Sequence, residues 1–425
     1  MKAVILAAGK GKRLMPITSS RPKPMIPLAG KPLLEHTILG VKDAGVDEIL
    51  LIVGYKEEVF KNYFGDGRDK YSVNIEYVTQ EEQLGTGHAV SYAKDFVKNE
   101  PFMLMYGDLL TEPKVFKEIV EVFKKSKPQG VIALFKVKNP QDYGVITLNP
   151  EGFVEKITEK PALELNLGNL INAGIFIFEP LIFEAIERTE KSVRGEYEFT
   201  DSMLNLINQL KGKIVGYKIN NYFWSDIGLP WQFSVANNYL LDKIEKKLLG
   251  KIEENVQISG DVFIGESTII RSGSNIQGPC YIGNNNVIGP NSLIRPYTFI
   301  ANDCQVGMGE ITNSIILSNT FIPDFNFIRD TIICENVNFG TGVKFANKGL
   351  VEKNFKVDKR NELIDSRSIT IIGPNVKTGI NVSIMKGKII NENSRIGAHT
   401  IVSEDIPPNT LYYHDPNKGI IKKSL

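Results

Sequence analysis

A rhythm in the second half of the chain constrains its fold more than any other feature. Positions 252, 258, 264, 270, 276, 282, 288, 294 and 300 are all isoleucine, and position 306 is valine. If about one residue in five were Ile or Val, ten consecutive hits at a spacing of six would arise with a chance on the order of 10⁻⁷, so this is a repeat. Glycine follows the aliphatic position at 265, 283, 289 and 307. A hexapeptide period is the mark of a β-helix, in which three short flat strands make a coil and the aliphatic side chain points inward. Coils stack at the ordinary strand spacing of about 4.8 Å. An antiparallel sandwich would show period two instead. The phase slips after Val306 and resumes at Ile316, Ile322 and Ile328. It slips again near Ile333, Phe339 and Phe345, and returns at Ile372, Thr378, Ile384, Ile390, Ile396 and Val402. The charged, non-repeating stretch from Lys348 to Asp365 is expected to loop out.

The first half has a different grammar. Ala3 to Ala7 is a short apolar run ending in Gly9, as a buried parallel strand does. Helix signals at Leu33 to Ala44, Glu57 to Tyr63 and Thr86 to Val97 alternate with strand signals at Glu48 to Val53, Asn74 to Val78 and Phe102 to Tyr106. Such alternation predicts an α/β, Rossmann-like doubly wound sheet, which binds ligands beyond the carboxyl ends of its strands. The loops holding Gly9 to Arg13, Gln80 to Gly87 and Gly107-Asp108 would converge there. The expected domains are therefore an α/β domain over 1–235, a linker helix over 236–250, a left-handed parallel β-helix over 251–410 and a C-terminal tail over 411–425.

Composition narrows the partners. The net charge is +1, which argues against a nucleic-acid or membrane surface. No apolar run is long enough to span a bilayer. The apolar stretch of the N-terminal MKAVILAAGKGKR is too short for a signal peptide and runs into a Gly/Lys loop. Cys280, Cys304 and Cys334 lack metal-ligand spacing and are expected as reduced core residues of a cytoplasmic protein.

At Leu6-Ala7-Ala8-Gly9-Lys10-Gly11-Lys12-Arg13, with Pro16 and Arg21-Pro22-Lys23-Pro24, the sequence resembles the sugar-1-phosphate nucleotidyltransferases. Gln80-Glu81-Glu82-Gln83-Leu84-Gly85-Thr86-Gly87-His88-Ala89 resembles their uridylyltransferase branch. Together with the hexapeptide half, the chain is similar over nearly its whole length to the archaeal bifunctional enzymes combining glucosamine-1-phosphate acetyltransferase with N-acetylglucosamine-1-phosphate uridylyltransferase. The resemblance implies transfer of a nucleotidyl group from UTP or dTTP to a sugar 1-phosphate of the glucose or N-acetylglucosamine type, with release of pyrophosphate.

That reaction joins two polyanions, so catalysis is mainly positioning and charge neutralisation. Glycines in the Gly9–Arg13 loop let backbone N–H groups approach phosphate oxygens. By resemblance, Leu6, Ala8, Gly9, Gly11, Gln80, Gly85 and Thr86 hold the nucleotide, with Gln80 and Gly85 at the base. Arg13 would neutralise the leaving pyrophosphate, and Lys23 would stabilise the phosphates at the reacting centre. Lys12 departs from the small hydroxyl residue usual in the family. Asp108 and Asp226 match the family's metal pair, which suits Mg²⁺, an ion that takes few protein ligands and keeps several waters. Gly144, Glu159 and Asn172 fit sugar-hydroxyl contacts, and Lys160 a contact to the sugar phosphate. The plain alternative for Glu159-Lys160 is a solvated charge pair. His36 and His88 are expected to be structural, since the mechanism needs no histidine base.

The second half departs from the family. There a histidine in a Gly/Pro-His-Leu-x-Tyr-x-Gly-Asp stretch takes a proton from the sugar amine, which attacks acetyl-coenzyme A. The matching stretch here is Pro323-Asp324-Phe325-Asn326-Phe327-Ile328-Arg329-Asp330. Asp324 replaces the histidine, Phe327 the tyrosine, and a family lysine falls near Asn313. Asn338-Phe339-Gly340-Thr341-Gly342, Asn347 and Lys353 do match. Aspartate is the weaker base near neutrality. The expectation is a degenerate acetyltransferase site on a β-helix that serves assembly as a homotrimer, through flat faces packed about a three-fold axis. Two alternatives stand beside it: the full bifunctional enzyme, and a non-catalytic regulatory subunit of a pyrophosphorylase. The latter usually loses metal or phosphate ligands, whereas this chain keeps Arg13, Lys23, Asp108 and Asp226.

Overall fold

The computed structural model describes residues 1–162, 165, 167–346 and 369–425. They form two compact units. One comprises Met1–Lys10, Arg21–Ile26 and Pro32–Asp226, and the other Gly11–Ser20, Pro27–Lys31 and Ile227–Leu425. A single division near residue 235 does not anticipate the two short N-terminal pieces in the second unit. Part of the reason is local to that unit. Ala29 N donates to Asn237 Oδ1 at 3.1 Å, and Gly30 lies so close to the Tyr281 ring that a Cβ there would stand 2.4 Å from it.

The first unit is built on a nine-stranded mixed sheet. Four parallel strands stand in the order Asn74–Thr79, Glu48–Val53, Lys2–Leu6, Phe102–Tyr106. The inner three are apolar almost throughout because both faces are covered, whereas the edge strand Asn74–Thr79 carries Asn74, Glu76 and Thr79 and is largely open to solvent. The strand order reverses beside Lys2–Leu6, which makes the carboxyl end of that strand the topological switch point of the sheet. Beyond Phe102–Tyr106 the pairing turns antiparallel through Leu170–Phe178, and then Gly144–Leu148 and Val154–Glu159. Gly130–Lys136 and Ile214–Lys218 branch off that path. Pro113–Ser126 shows how the helices dock. Val115, Phe116, Ile119, Val120 and Phe123 recur at helical spacing and all are buried. The continuous helix expected over Thr86 to Val97 is instead two, Thr86–Ser91 and Lys94–Val97, with a turn at Tyr92-Ala93.

In the second unit the six-residue rhythm becomes a parallel β-helix. The register repeats every 18 residues, three hexapeptides to the coil: Ile252 pairs with Ile270, Ile270 with Ile288, and Ile288 with Val306. Where the sequence phase slips, the coil merely shortens. Val306 pairs with Ile322 and Ile294 with Ile311. Ile333 pairs with Ile372, a step of 39 residues, and 18 returns with Ile372 on Ile390. The stretch from Lys348 to Asp365, expected to loop out, lies outside the described residues. From Ile264 on the inward isoleucines are buried, while Ile252 and Ile258 of the first coil are only partly covered. The sharp corners need left-handed backbone, which asparagine tolerates better than most residues. Asn336, Asn375, Asn393 and Asn409 all have φ between 54° and 61°. Their amides form a ladder with spacings of 3.2, 3.0 and 2.9 Å.

The helix preceding the coils spans Pro230–Leu241 instead of the expected 236–250, because Lys247–Leu248 already pairs as the first β-helix strand. Residues 411–425, expected as a tail, instead complete an antiparallel hairpin of Thr410–Asp415 and Gly419–Ser424, with Tyr412 fully buried. The three cysteines are buried and form no disulfide, and burial pushes the Cys280 and Cys304 thiols up to about 12.

Candidate active site

The switch point fixes where chemistry can occur in the first unit. Ala7 N donates to Ile52 O and Gly107 N to Leu6 O, each at 2.8 Å, so the turns leaving adjacent strands are tied together. Ala8 O accepts from Tyr55 N at 3.2 Å and from Gln83 Nε2 at 2.9 Å. Close approach here demands glycine at Gly54 and Gly107, where a Cβ would meet Ala8 O at 3.0 Å and Leu6 O at 2.9 Å. Gly9 is different. It is exposed and has open space above its Cα, which is the room a phosphate needs.

Lys23 sits in a short 3-10 turn, Lys23–Met25, set by Pro22 before it. Its ammonium is nearly buried and pairs with Asp108 Oδ2 at 2.5 Å. Asp108 immediately precedes Leu109–Thr111, which pairs antiparallel with Trp224–Asp226, and Asp226 stands opposite Leu109. The register therefore brings the two aspartates to the same end of one ribbon. Trp224 Nε1 anchors that ribbon on Ala173 O at 2.9 Å. The Tyr143 hydroxyl donates to Asp226 Oδ1 at 2.9 Å. Two hard carboxylates without a fuller cage suit Mg²⁺, which completes its shell with water and phosphate oxygens. Among the described residues there is no cluster of three or more His, Cys, Asp or Glu placed to hold a metal unaided.

The sugar-facing candidates also come together. Glu159 and Gly144 are cross-strand partners, and a Cβ on Gly144 would lie 2.8 Å from Glu159 Oε2. Asn172 lies at a register shift, and its Oδ1 accepts Gly174 N at 2.8 Å. Its side chain also hydrogen-bonds Tyr106, whose hydroxyl is raised first by burial and then by the Glu159 charge. The Glu159 carboxyl is raised above the usual carboxylate range, mainly by burial; Lys160 and Arg194 oppose this, while Glu198 and Asp201 add to it. The Glu159 side chain nonetheless remains open to solvent. The Lys160 side chain is exposed, but its backbone N–H donates to Tyr143 O at 3.0 Å. Lys160 thus supports the tyrosine that holds Asp226.

At the base-facing end, Gln80 is buried at 6% exposure. Its amide nitrogen reaches Gly85 O at 3.4 Å and His88 Nδ1 at 3.3 Å. Leu84 O accepts from Tyr197 N at 2.8 Å, Tyr197 O from Gly87 N at 2.7 Å, and Thr86 Oγ1 from Phe199 N at 3.1 Å. The Thr86 hydroxyl oxygen is therefore partly spent on the fold. These bonds lace the glutamine's loop to the segment carrying Glu198 and Asp201. Tyr143, Tyr106, Arg194 and Glu198 escaped the sequence reading. Their only signal was adjacency, Tyr143 to Gly144 and Tyr106 to Gly107-Asp108.

Arg13 belongs to the second unit. It is exposed in the 3-10 turn Lys12–Leu14, which starts at Gly11 with φ 63° and is closed by Thr18 Oγ1 on Gly11 O at 3.0 Å. The replaced acetyltransferase residues lie in the same unit. Asp324 is exposed, and its Oδ1 accepts Met308 N at 2.8 Å. Asn284 and Asn302 do the same at other corners, accepting Glu266 N at 2.9 Å and Asn284 N at 2.8 Å. Asp324 is thus a corner cap. Phe327 points outward and is 47% exposed. Asn313 spends its amide on Asp330 Oδ1 at 2.7 Å and Asn238 at 3.1 Å. Asn347 and Lys353 lie outside the described residues. His399 cannot replace the missing base. The steps Gly342 on Asp324, Asn381 on Thr341 and His399 on Ile380 put it three coils away, roughly 14 Å at ordinary strand spacing.

Residues 2–243 match the family model described as nucleotidyl transferase, and residues 276–371 match that of the GMPPB C-terminal domain. The chain is 45% identical to the bifunctional protein GlmU of Methanocaldococcus jannaschii over 97% of each chain. It is 39% identical to the bifunctional sugar-1-phosphate nucleotidylyltransferase/acetyltransferase of Sulfurisphaera tokodaii, over 96% of this chain and 98% of that one. A crystal structure of UDP-glucose pyrophosphorylase complexed with UDP-glucose superposes with a TM-score of 0.52 at 26% identity, covering 57% of this chain and 98% of that one.

Proposed function

This chain belongs to the nucleotidyl transferase family, and from that premise we propose that it uses Mg²⁺ to join UTP or dTTP to a glucose- or N-acetylglucosamine-type sugar 1-phosphate. It is a sugar-1-phosphate nucleotidyltransferase. The observation that carries the finer reading is the carboxylate pair at one ribbon end, each member held by a dedicated partner: Asp108 by Lys23 and Asp226 by Tyr143. Asp108 and Asp226 would hold the ion, which supplies charge neutralisation where the phosphates meet. Lys23 would move between Asp108 and the phosphates, Gly9 would offer backbone N–H, and Arg13 would balance the leaving pyrophosphate. Glu159 and Asn172 would accept and donate to sugar hydroxyls, and Gln80 would meet the base. A pyrophosphate-release assay over a matrix of sugar 1-phosphates and nucleoside triphosphates tests this. No turnover with any uracil or thymine nucleotide would overturn it.

A second activity, acetylation of an amino-sugar 1-phosphate with acetyl-coenzyme A, is favoured by the full-length likeness to two proteins named as bifunctional. The corner-cap role of Asp324 speaks against that residue as its base. The regulatory-subunit reading is weakened by the retention of Lys23, Asp108 and Asp226, with Asp108 held by Lys23 and Asp226 by Tyr143. We also propose a homotrimer built on the flat faces of the β-helix. Light scattering at micromolar concentration should give three times the 47.5 kDa chain mass, and a monomeric mass would rule it out.

A further inference from the structure

His88 lies beside the base-facing glutamine yet has no part in the chemistry proposed above. It occupies the helix Thr86–Ser91, and its ring packs edge-to-face on Tyr92, with centroids 5.1 Å apart at 84°. Tyr197 flanks it at 6.4 Å.

The hydrogen-bond chemistry around Gln80 is decisive. One end of its amide faces the Gly85 carbonyl oxygen at 3.4 Å. A carbonyl oxygen only accepts, so that end must be the NH₂ group; the reverse orientation would oppose two oxygens. The same nitrogen lies 3.3 Å from His88 Nδ1. To receive it, Nδ1 must carry a lone pair, which places the ring proton on Nε2 and leaves the imidazole neutral. With its nitrogen committed inward, Gln80 offers its oxygen to a base. Uracil and thymine present N3–H, a donor, whereas cytosine presents a bare N3 acceptor.

We propose that His88, as the neutral Nε2–H tautomer, is a positioning residue that turns the Gln80 oxygen toward the base and so sets the preference for uracil or thymine over cytosine. This rests on the UTP-or-dTTP reading above. Gly85 and His88 act together: the carbonyl forbids the flipped amide, and the imidazole supplies the second acceptor that holds it. A site built to hydrogen-bond one edge rejects the edge that leaves its polar group unpaired.

The test uses the full chain, titrated calorimetrically with UTP, dTTP and CTP in the presence of Mg²⁺ and assayed for pyrophosphate release. Three proteins are compared: wild type, His88→Phe, which keeps a ring but removes the acceptor, and His88→Gln, which restores an acceptor oxygen. In His88→Phe, UTP binding should weaken about tenfold and the UTP-over-CTP preference should fall about tenfold, while kcat stays within about twofold. His88→Gln should recover the preference to within about threefold. If wild type prefers UTP or dTTP and His88→Phe changes neither affinity nor preference, the role of His88 is wrong while the base reading stands. If wild type does not prefer them over CTP, the base reading fails and takes the proposal with it. Long-range ¹H–¹⁵N spectra of wild type provide a check independent of whether His88→Phe folds, since the chain has only four histidines and His88→Gln identifies the signal. A protonated Nδ1 on His88 at pH 7.5 overturns the proposal; a bare Nδ1 supports it.

Discussion

In the α/β unit three candidate side chains are each held by their own partners, Asp108 by Lys23, Asp226 by Tyr143, and Gln80 by Gly85 and His88. In the β-helix a position copies the one a coil away, most often 18 residues, and is held by the same kind of corner and ladder contacts as its neighbours. A changed residue therefore meets different fates. In the first unit it loses a unique partner, and function goes with it. In the second it falls into the role its position has everywhere else, as Asp324 does by capping a corner like Asn284 and Asn302. Repetition protects the scaffold and erodes the site.

The sharpest way to break this contrast is at the carboxylate pair. Asp108→Asn and Asp226→Asn should each lower kcat for pyrophosphate release by about 10³-fold while leaving circular dichroism and melting behaviour near wild type. Near-normal turnover with Mg²⁺ in both would remove the metal assignment. On the β-helix side, general-base assistance contributes about 10² to 10⁴-fold, so an acetyl transfer lacking it should sit near the floor of a thiol-release assay. Whatever rate is seen at pH 7 to 8 should be indifferent to Asp324→Asn, because asparagine preserves the corner bond. Asp324→Ala should cost about 1 kcal/mol of stability. Robust acetylation abolished by Asp324→Asn would show that the position is a working site. Gain of activity in the double variant Asp324→His, Phe327→Tyr would show that the rest of that site is intact.

Smaller effects sharpen the first half. Tyr143→Phe removes only the hydroxyl that steadies Asp226 and should reduce kcat about tenfold, with the sugar-phosphate KM nearly unchanged. A raised KM at constant kcat would instead assign Tyr143 to substrate binding. The smallest effect is in pH. The Glu159 carboxyl is raised above the ordinary range, so it takes up a proton at a higher pH than a free glutamate. Its acceptor character is present above that raised value and fades as pH falls through it. The sugar-phosphate KM should therefore climb on mild acidification, and Glu159→Gln should flatten the profile. The same shift means the folded state gains relative stability as the group protonates and loses it as pH rises. An unchanged profile in Glu159→Gln would exclude Glu159 as the titrating group.

What the sequence disclosed follows the same divide. The β-helix was legible almost coil by coil, since an inward side chain every six residues leaves a count behind it. The strands Glu48–Val53 and Phe102–Tyr106 were legible to the residue because burial on both faces demands an unbroken apolar run. The aspartates and glycines were visible as motifs, but their supports were not. Tyr143 and Asp226 are 83 residues apart, and no local pattern joins them. The turn at Tyr92-Ala93 carries no glycine or proline to announce it. Gly11–Ser20 and Pro27–Lys31 belong with the second unit through packing such as Gly30 against the Tyr281 ring, which is no property of either stretch alone. The hairpin at 410–425 has no six-residue beat, and so it passed for a tail.

That hairpin answers a question familiar from polymer chemistry, namely what ends a chain whose every unit can add another. A parallel coil finishes with the same unsatisfied edge it began with, and nothing in a period of six says stop. Here Thr410–Asp415 adds to Arg395–Ile396 in the parallel sense, and Gly419–Ser424 then turns back along it in the opposite sense. Tyr412 seals the core beneath. On this face growth is quenched by reversing direction: the next monomer, whether another coil or another molecule's open end, meets a strand that runs the wrong way and carries Lys422 and Lys423.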